Sequence, residues 1–174
     1  MTAQSIGPYR VIREVGKGGM GAVYEAIHPQ IERKVAIKVL HPEYAVNQQV
    51  VQRFFNEARA VNIVNHPSVV QISEFGQQPD GTAYIVMEFL EGESLGGRMK
   101  RLGGKLSVAD TLRLTRQVAA ALAAAHAKNI VHRDVKPAHL PSRNENGTDW
   151  GKSREKRAND PASTFGCQTL RYSL

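Results

Sequence analysis

Val15-Gly16-Lys17-Gly18-Gly19-Met20-Gly21-Ala22-Val23, followed by Val35-Ala36-Ile37-Lys38: the reading of these two stretches decides the fold. Tyr9 to Val15 before them is short and β-rich. Ala22 to His28 reads as a second strand, and Arg33 to Leu40 as a third, with Val35, Ile37 and Val39 on one face. The glycine cluster therefore bridges two strands. Its physical use is to let backbone N–H groups approach phosphates without Cβ obstruction. Taken alone it supports three readings. A dinucleotide site would need a helix directly after Gly21, but Ala-Val-Tyr-Glu-Ala-Ile favours strand. A flap over a nucleotide and a plain glycine-rich hairpin both stay open.

Lys38 alternates in phase with Ala36, on the face opposite Val35, Ile37 and Val39. A lysine in an apolar strand can be a solvent-face residue, or a cation held for phosphate oxygens. In the second case it needs a counter-charge when no ligand is bound. Glu57 can supply one. It lies mid-way along a helix predicted over 47–64, with Asn47 as N-cap and Val51, Phe54, Phe55, Ala58 and Val61 as apolar stripe. By itself Glu57 would read as an exposed helix acid. Asn65-His66-Pro67 stops that helix. Val69–Phe75 and Ala83–Phe89 read as strands joined by the Gln78-Pro79-Asp80-Gly81 turn. A linker spans Leu90–Gly97. A long helix follows from Ser107 to about Lys128, with apolar residues spread widely enough to predict burial on more than one side.

Composition narrows the function classes. The 174 residues carry 23 Lys plus Arg against 16 Asp plus Glu, a net charge of +7. Basic and acidic residues are interleaved, so a solvated surface is the reading and nucleic acid is not an expected partner. One cysteine, Cys167, excludes a disulfide framework, and six scattered histidines show no metal-ligand spacing. No run approaches the roughly 18–20 apolar residues of a membrane span, and Met1–Pro8 lacks a signal-peptide pattern. No membrane partner and a cytoplasmic location are expected. Residues 141–174 contain no Val, Ile or Met and show neither periodicity, which predicts a poorly ordered tail.

Glycine loop, strand lysine and helix acid together resemble the N-lobe of a bacterial eukaryotic-like serine/threonine protein kinase. The resemblance continues through Ile85-Val86-Met87-Glu88-Phe89-Leu90, which is similar to the fifth strand and hinge. It extends to Ile130-Val131-His132-Arg133-Asp134-Val135-Lys136-Pro137, similar to the catalytic loop. It implies an α+β fold. A five-stranded antiparallel sheet plus one helix forms an N-lobe over 9–91. A partial helical C-lobe covers 92–140, and the irregular tail 141–174. It implies ATP as ligand, with Val15, Gly16, Lys17, Gly18, Gly19, Met20 and Gly21 covering the phosphates. Lys38 would anchor the phosphates and Glu57 pair with it. Val23 and Ala36 would pack on the adenine face, Met87 would be the gatekeeper, and the backbones of Glu88 and Leu90 would meet the adenine edge. Asp134 would accept the proton of the substrate hydroxyl and Lys136 steady the transferred phosphoryl group. Lys136-Pro137 suits the Ser/Thr class. His132 would hold the loop, and Arg133 would read an activation-loop phosphate.

The resemblance breaks at His139, where the family carries a magnesium-binding asparagine. Magnesium is expected for the family, but its ligands are not recognisable here, and imidazole is a poor substitute for a hard oxygen. Asp149-Trp150-Gly151 is only a near match to D-F-G, with no strand before it. The expectation is a chain truncated or frameshifted near residue 139, which would leave the helix at 107–128 without the C-lobe helices it would pack on and an apolar patch exposed. By family it is a kinase for protein Ser/Thr, its protein substrate unknown, with very low phosphotransfer. The alternative is a catalytically dead, pseudokinase-like nucleotide-binding fragment or interaction module. The blandest reading is a broken product that hardly folds.

Overall fold

The computed structural model describes residues 5–92, 94–132 and 135 of this chain. The predicted tail 141–174 lies outside them, as do Arg133, Asp134, Lys136, His139 and the Asp149–Gly151 triplet. The elements are β1 (Ser5–Ile6), β2 (Tyr9–Lys17), β3 (Gly21–His28), β4 (Arg33–Leu40), α1 (Pro42–Ala45), α2 (Gln48–Val64), β5 (Ile72–Gln77), β6 (Ala83–Glu88), α3 (Leu95–Arg101) and α4 (Val108–His126). They divide into two compact units. Of the described residues, one holds those up to Asn62 together with Gln71–Phe89; the other holds Ile63–Val70 and those from Leu90 on.

The first unit is an antiparallel sheet in the order β1-β2-β3-β4-β6-β5. Period-two alternation sends Ala26, Val35, Ile37 and Val86 to one face, where they form a core with Ile6 and Tyr9. The sheet curls enough for the Tyr9 hydroxyl, near one edge, to come within electrostatic reach of Glu74 on the edge strand β5. Burial and the Glu74 carboxylate raise the Tyr9 hydroxyl above its ordinary pKa.

The other face meets α2. Asn47 caps this helix, its Oδ1 accepting from the N–H groups of Gln49 (3.0 Å) and Val50 (3.3 Å). Val51, Phe54, Ala58 and Val61 are its buried stripe. The Asn62 side chain grips β5 at both backbone groups of Ile72, donating to its carbonyl at 3.1 Å and accepting from its N–H at 3.4 Å. Phe55 packs on Phe75 with ring centroids 5.1 Å apart, and Arg59 lies over the same Phe75 ring.

Four expectations need correction. The sheet has six strands, not five, because the chain turns at Gly7-Pro8 and pairs Ile6 with Tyr9; two residues are too few for alternation to mark. β5 starts at Ile72 rather than Val69, because the Val69 N–H is taken up by the His66 carbonyl in the turn around Pro67. The 90–97 linker contains the start of α3, capped where Ser94 Oγ accepts from Gly97 N–H at 3.1 Å; Gly96 and Gly97 masked it. The long helix is capped by Ser107 as expected, and Asn129 leaves it at φ 58°. It is not buried on more than one side, however. Only Ala121 and Ala125 are buried, while Val108 is 77% and Leu112 65% exposed. Its apolar residues are spread round the axis, so no single neighbouring surface covers them all. No described helix is long and apolar enough to cross a membrane.

Candidate functional site

Antiparallel register makes one row of five residues across the sheet: Gly16 opposite Val23, Val23 opposite Lys38, Lys38 opposite Ile85, and Ile85 opposite Phe75. Directly opposed residues share a face, so this row lies on the α2 side. The next row on the same face is Glu25, Ala36 and Met87. Val23, Ala36, Lys38 and Met87 thus come together as one patch, away from the Ile37–Val86 core. Ala36 is buried, Val23 and Lys38 are half-buried.

Glu57 sits inside the apolar stripe of α2, three residues from Phe54 and four from Val61, which is why a carboxylate there is half-buried. Burial raises its pKa above the ordinary 4.5, and the positive charge of Lys38 works against that rise. Its Oε2 atom is buried with no hydrogen-bond partner. A buried carboxylate oxygen of this kind is a destabilising feature. Lys38 and Glu57 are therefore brought within electrostatic reach of each other from a strand and a helix 19 positions apart.

The glycine cluster forms the β2–β3 turn, closed by Gly18 N–H to the Gly21 carbonyl at 2.8 Å. Val15 lies at a register irregularity between Glu14 and Gly16, and Lys17 pairs with Ala22. The glycines differ in what holds them. A Cβ at Gly21 would strike the Val39 carbonyl oxygen, so bulk is excluded there by the neighbouring strand. A Cβ on Gly16 or Gly19 would meet nothing within 4 Å among the described residues, and neither residue has a left-handed φ. The fold makes no demand for glycine at 16 and 19.

At the end of β6, Glu88 clamps Gln71. Its N–H donates to the Gln71 carbonyl at 3.0 Å, and its Oε1 accepts from Gln71 N–H at 2.7 Å. Met87 is buried beside it and Leu90 half-buried beyond it. Among the described residues no group of three or more His, Cys, Asp or Glu side chains converges as a metal cage. Two residues of this region escape a sequence reading. Glu25 is buried on the Ala36 face, paired with Arg13 at 2.7 Å and Lys34 at 3.7 Å. Its signal is an acid in phase with Val23 and Ile27, with bases on both neighbouring strands. His41 contacts the glycine turn, and nothing in its spacing marks it.

A family model described as "Protein kinase domain" matches residues 9–173. The chain is 40% identical over 152 residues to serine/threonine-protein kinase PknA of Mycobacterium tuberculosis, covering 83% of this chain and 35% of PknA. To serine/threonine-protein kinase Pkn1 of Myxococcus xanthus it is 42% identical over 134 residues, 77% of this chain and 19% of Pkn1. Among solved structures it is similar to the Mycobacterium tuberculosis PknI kinase domain, with a TM-score of 0.68 and 30% identity over 81% of this chain and 57% of that one. The chain thus spans about a third of the length of PknA and about a fifth of Pkn1.

Proposed function

From the premise that this chain belongs to the protein kinase domain family, as a relative of bacterial serine/threonine kinases, we propose that it binds ATP against the α2 side of its sheet and directs the γ-phosphate to a protein Ser or Thr hydroxyl. The observation that carries the reading is the pairing of an unneeded absence with a charge. Gly16 and Gly19 lack a Cβ where the described protein would tolerate one, and Lys38 lies in the same cross-strand row as Gly16. A bare backbone and a lysine in one cross-strand row suit a polyanion that must come close. The turn of residues 15–21 lies over the triphosphate. Lys38 meets its oxygens, and Glu57 balances Lys38. Val23 and Ala36 pack on the adenine, with Met87 behind it. The backbones of Glu88 and Leu90 are assigned to the adenine edge, and the Glu88 N–H donates to the Gln71 carbonyl.

Asp134 takes the proton as the substrate oxygen bonds to the γ-phosphorus and the bridging bond to the β-phosphate breaks. Lys136 stabilises the charge on the phosphoryl oxygens. Kinases of this family generally use magnesium. No described residues form a cage for it, and no step here is routed through it. A second reading, nucleotide binding without transfer, is favoured by His139 and by the weak match of Asp149-Trp150-Gly151.

Transfer of radiolabel from ATP, measured beside Asp134→Asn, separates the two. Loss of a positioned general base typically lowers the rate by roughly 10²–10⁴, so equal labelling by both proteins would sink the transfer reading. A thermal shift on adding ATP that Lys38→Met abolishes is expected under either. If ATP shifts neither protein, nucleotide binding itself is wrong.

A further inference from the structure

The glycines at 16, 18 and 19 have almost no packing to hold them. A Cβ at Gly16 or Gly19 would touch nothing among the described residues, and one at Gly18 only the Gly21 carbonyl, at 3.7 Å. Glycine-rich backbone left this open has many conformations to lose when a ligand orders it. Yet the turn is tethered from one side. His41, at the end of β4, donates its backbone N–H to the Met20 carbonyl at 2.9 Å, and its ring Nε2 lies 3.1 Å from the Gly18 carbonyl. A carbonyl oxygen can only accept, so Nε2 carries the proton of that bond.

The tether stands on a rigid base. Leu40 before it is 1% exposed. Pro42 after it opens α1, and a residue preceding proline is confined to extended backbone, which is where His41 sits, at φ −62° and ψ 144°. The backbone bond to Met20 is available to any residue except proline. The ring bond to Gly18 needs a side-chain donor at this position.

We propose that His41 is a positioning residue that pins the tip of the glycine turn over the nucleotide phosphates, raising nucleotide affinity by ordering the turn before the ligand arrives. The inference rests on the nucleotide reading above for its consequence, but the pinning itself stands apart from it. Preorganisation of a binding loop strengthens binding by removing an ordering cost from the association step.

Lys17 provides a direct readout, because trypsin cleaves after it within the turn. In the nucleotide-free full chain, cleavage at Lys17, scaled to cleavage at exposed Lys105, is expected to rise in His41→Ala and to return towards the wild-type rate in His41→Gln, whose amide can still donate to Gly18. ATP affinity, measured by calorimetry, should weaken about three- to tenfold in His41→Ala, the range of one lost hydrogen bond, and recover in His41→Gln. If the wild type binds ATP and His41→Ala matches it in both affinity and Lys17 cleavage, the pin is refuted and the nucleotide site stands. If the wild type binds no ATP, the nucleotide reading fails, and faster Lys17 cleavage in His41→Ala still supports the tether while unchanged cleavage overturns it.

Discussion

Two hairpins in this molecule turn on glycine, for opposite reasons. Between β5 and β6, Gly81 sits at φ 85°, its N–H donating to the Gln78 carbonyl at 2.9 Å, while Asp80 Oδ1 accepts from Thr82 N–H at 2.9 Å. The Asp80 carboxyl is held below its ordinary pKa by those bonds to Thr82. There the turn itself requires glycine, since a left-handed backbone strains any residue with a Cβ. Between β2 and β3, Gly16 and Gly19 have no such φ and no crowding among the described residues. The difference separates glycine that serves the chain's own geometry from glycine that leaves room for something else. Gly21 belongs with the first kind despite lying in the second hairpin, because Val39 on β4 crowds it.

The contrast can be broken most forcefully at Gly21. Gly21→Ala drives a methyl into the Val39 carbonyl, a backbone atom that cannot rotate away, and should destabilise by about 1–3 kcal/mol. Chemical denaturation would measure it, and an unchanged midpoint would mean that β3 and β4 do not pack as described. The sharper test sets Gly81→Ala beside Gly19→Ala. Gly81→Ala should destabilise by about 1 kcal/mol or more and leave ATP binding unchanged. Gly19→Ala should leave stability unchanged or raise it by up to about 1 kcal/mol, through a less flexible unfolded chain, while weakening ATP binding. Should both variants lose stability and keep ATP affinity, the two hairpins are of one kind.

The smallest effect concerns Glu57. Its folded-state pKa lies above 4.5, chiefly through burial. The protonated carboxyl is therefore the form that the fold favours. That contribution is complete below the unfolded value and is lost as pH rises through the folded one. Replacing the group with a neutral amide removes the dependence. The melting temperature of Glu57→Gln, relative to wild type without nucleotide, should rise between pH 4 and pH 7 by roughly a few degrees at most. A gap constant across that range would show that Glu57 is not strained by burial. The same variant should bind ATP more weakly, a trade of stability for function at one carboxylate.

Much of the first unit was legible along the chain. The strand over Arg33–Leu40 matches β4 residue for residue, and the Asn47 cap and the Gln78–Gly81 turn lie where turn and capping chemistry put them. These features are written in short windows: alternation, a cap residue, a Pro-Asp-Gly run. α3 was not legible because Gly96 and Gly97 read as linker, and a single hydrogen bond from the Ser94 cap outweighs that composition. A helix pattern records which residues are apolar and not what covers them, so the choice between burial and exposure of Val108 and Leu112 was left to the packing. Glu25 looked like any strand acid until Arg13 and Lys34 were seen on either side of it.

Local order was enough to put Lys38 in phase with Ala36 and to bridge two strands with glycine, because side-chain direction along a strand follows from a period of two and needs no distant partner. Folding in three dimensions settled the rest: that Lys38 acts on Glu57, that Val39 crowds Gly21 while Gly19 stays open, and that the His41 ring reaches Gly18 from 23 residues away. Those meetings depend on strand register and on where a helix lands against the sheet. Such distances across the molecule are fixed by packing, and no stretch of neighbouring residues encodes them.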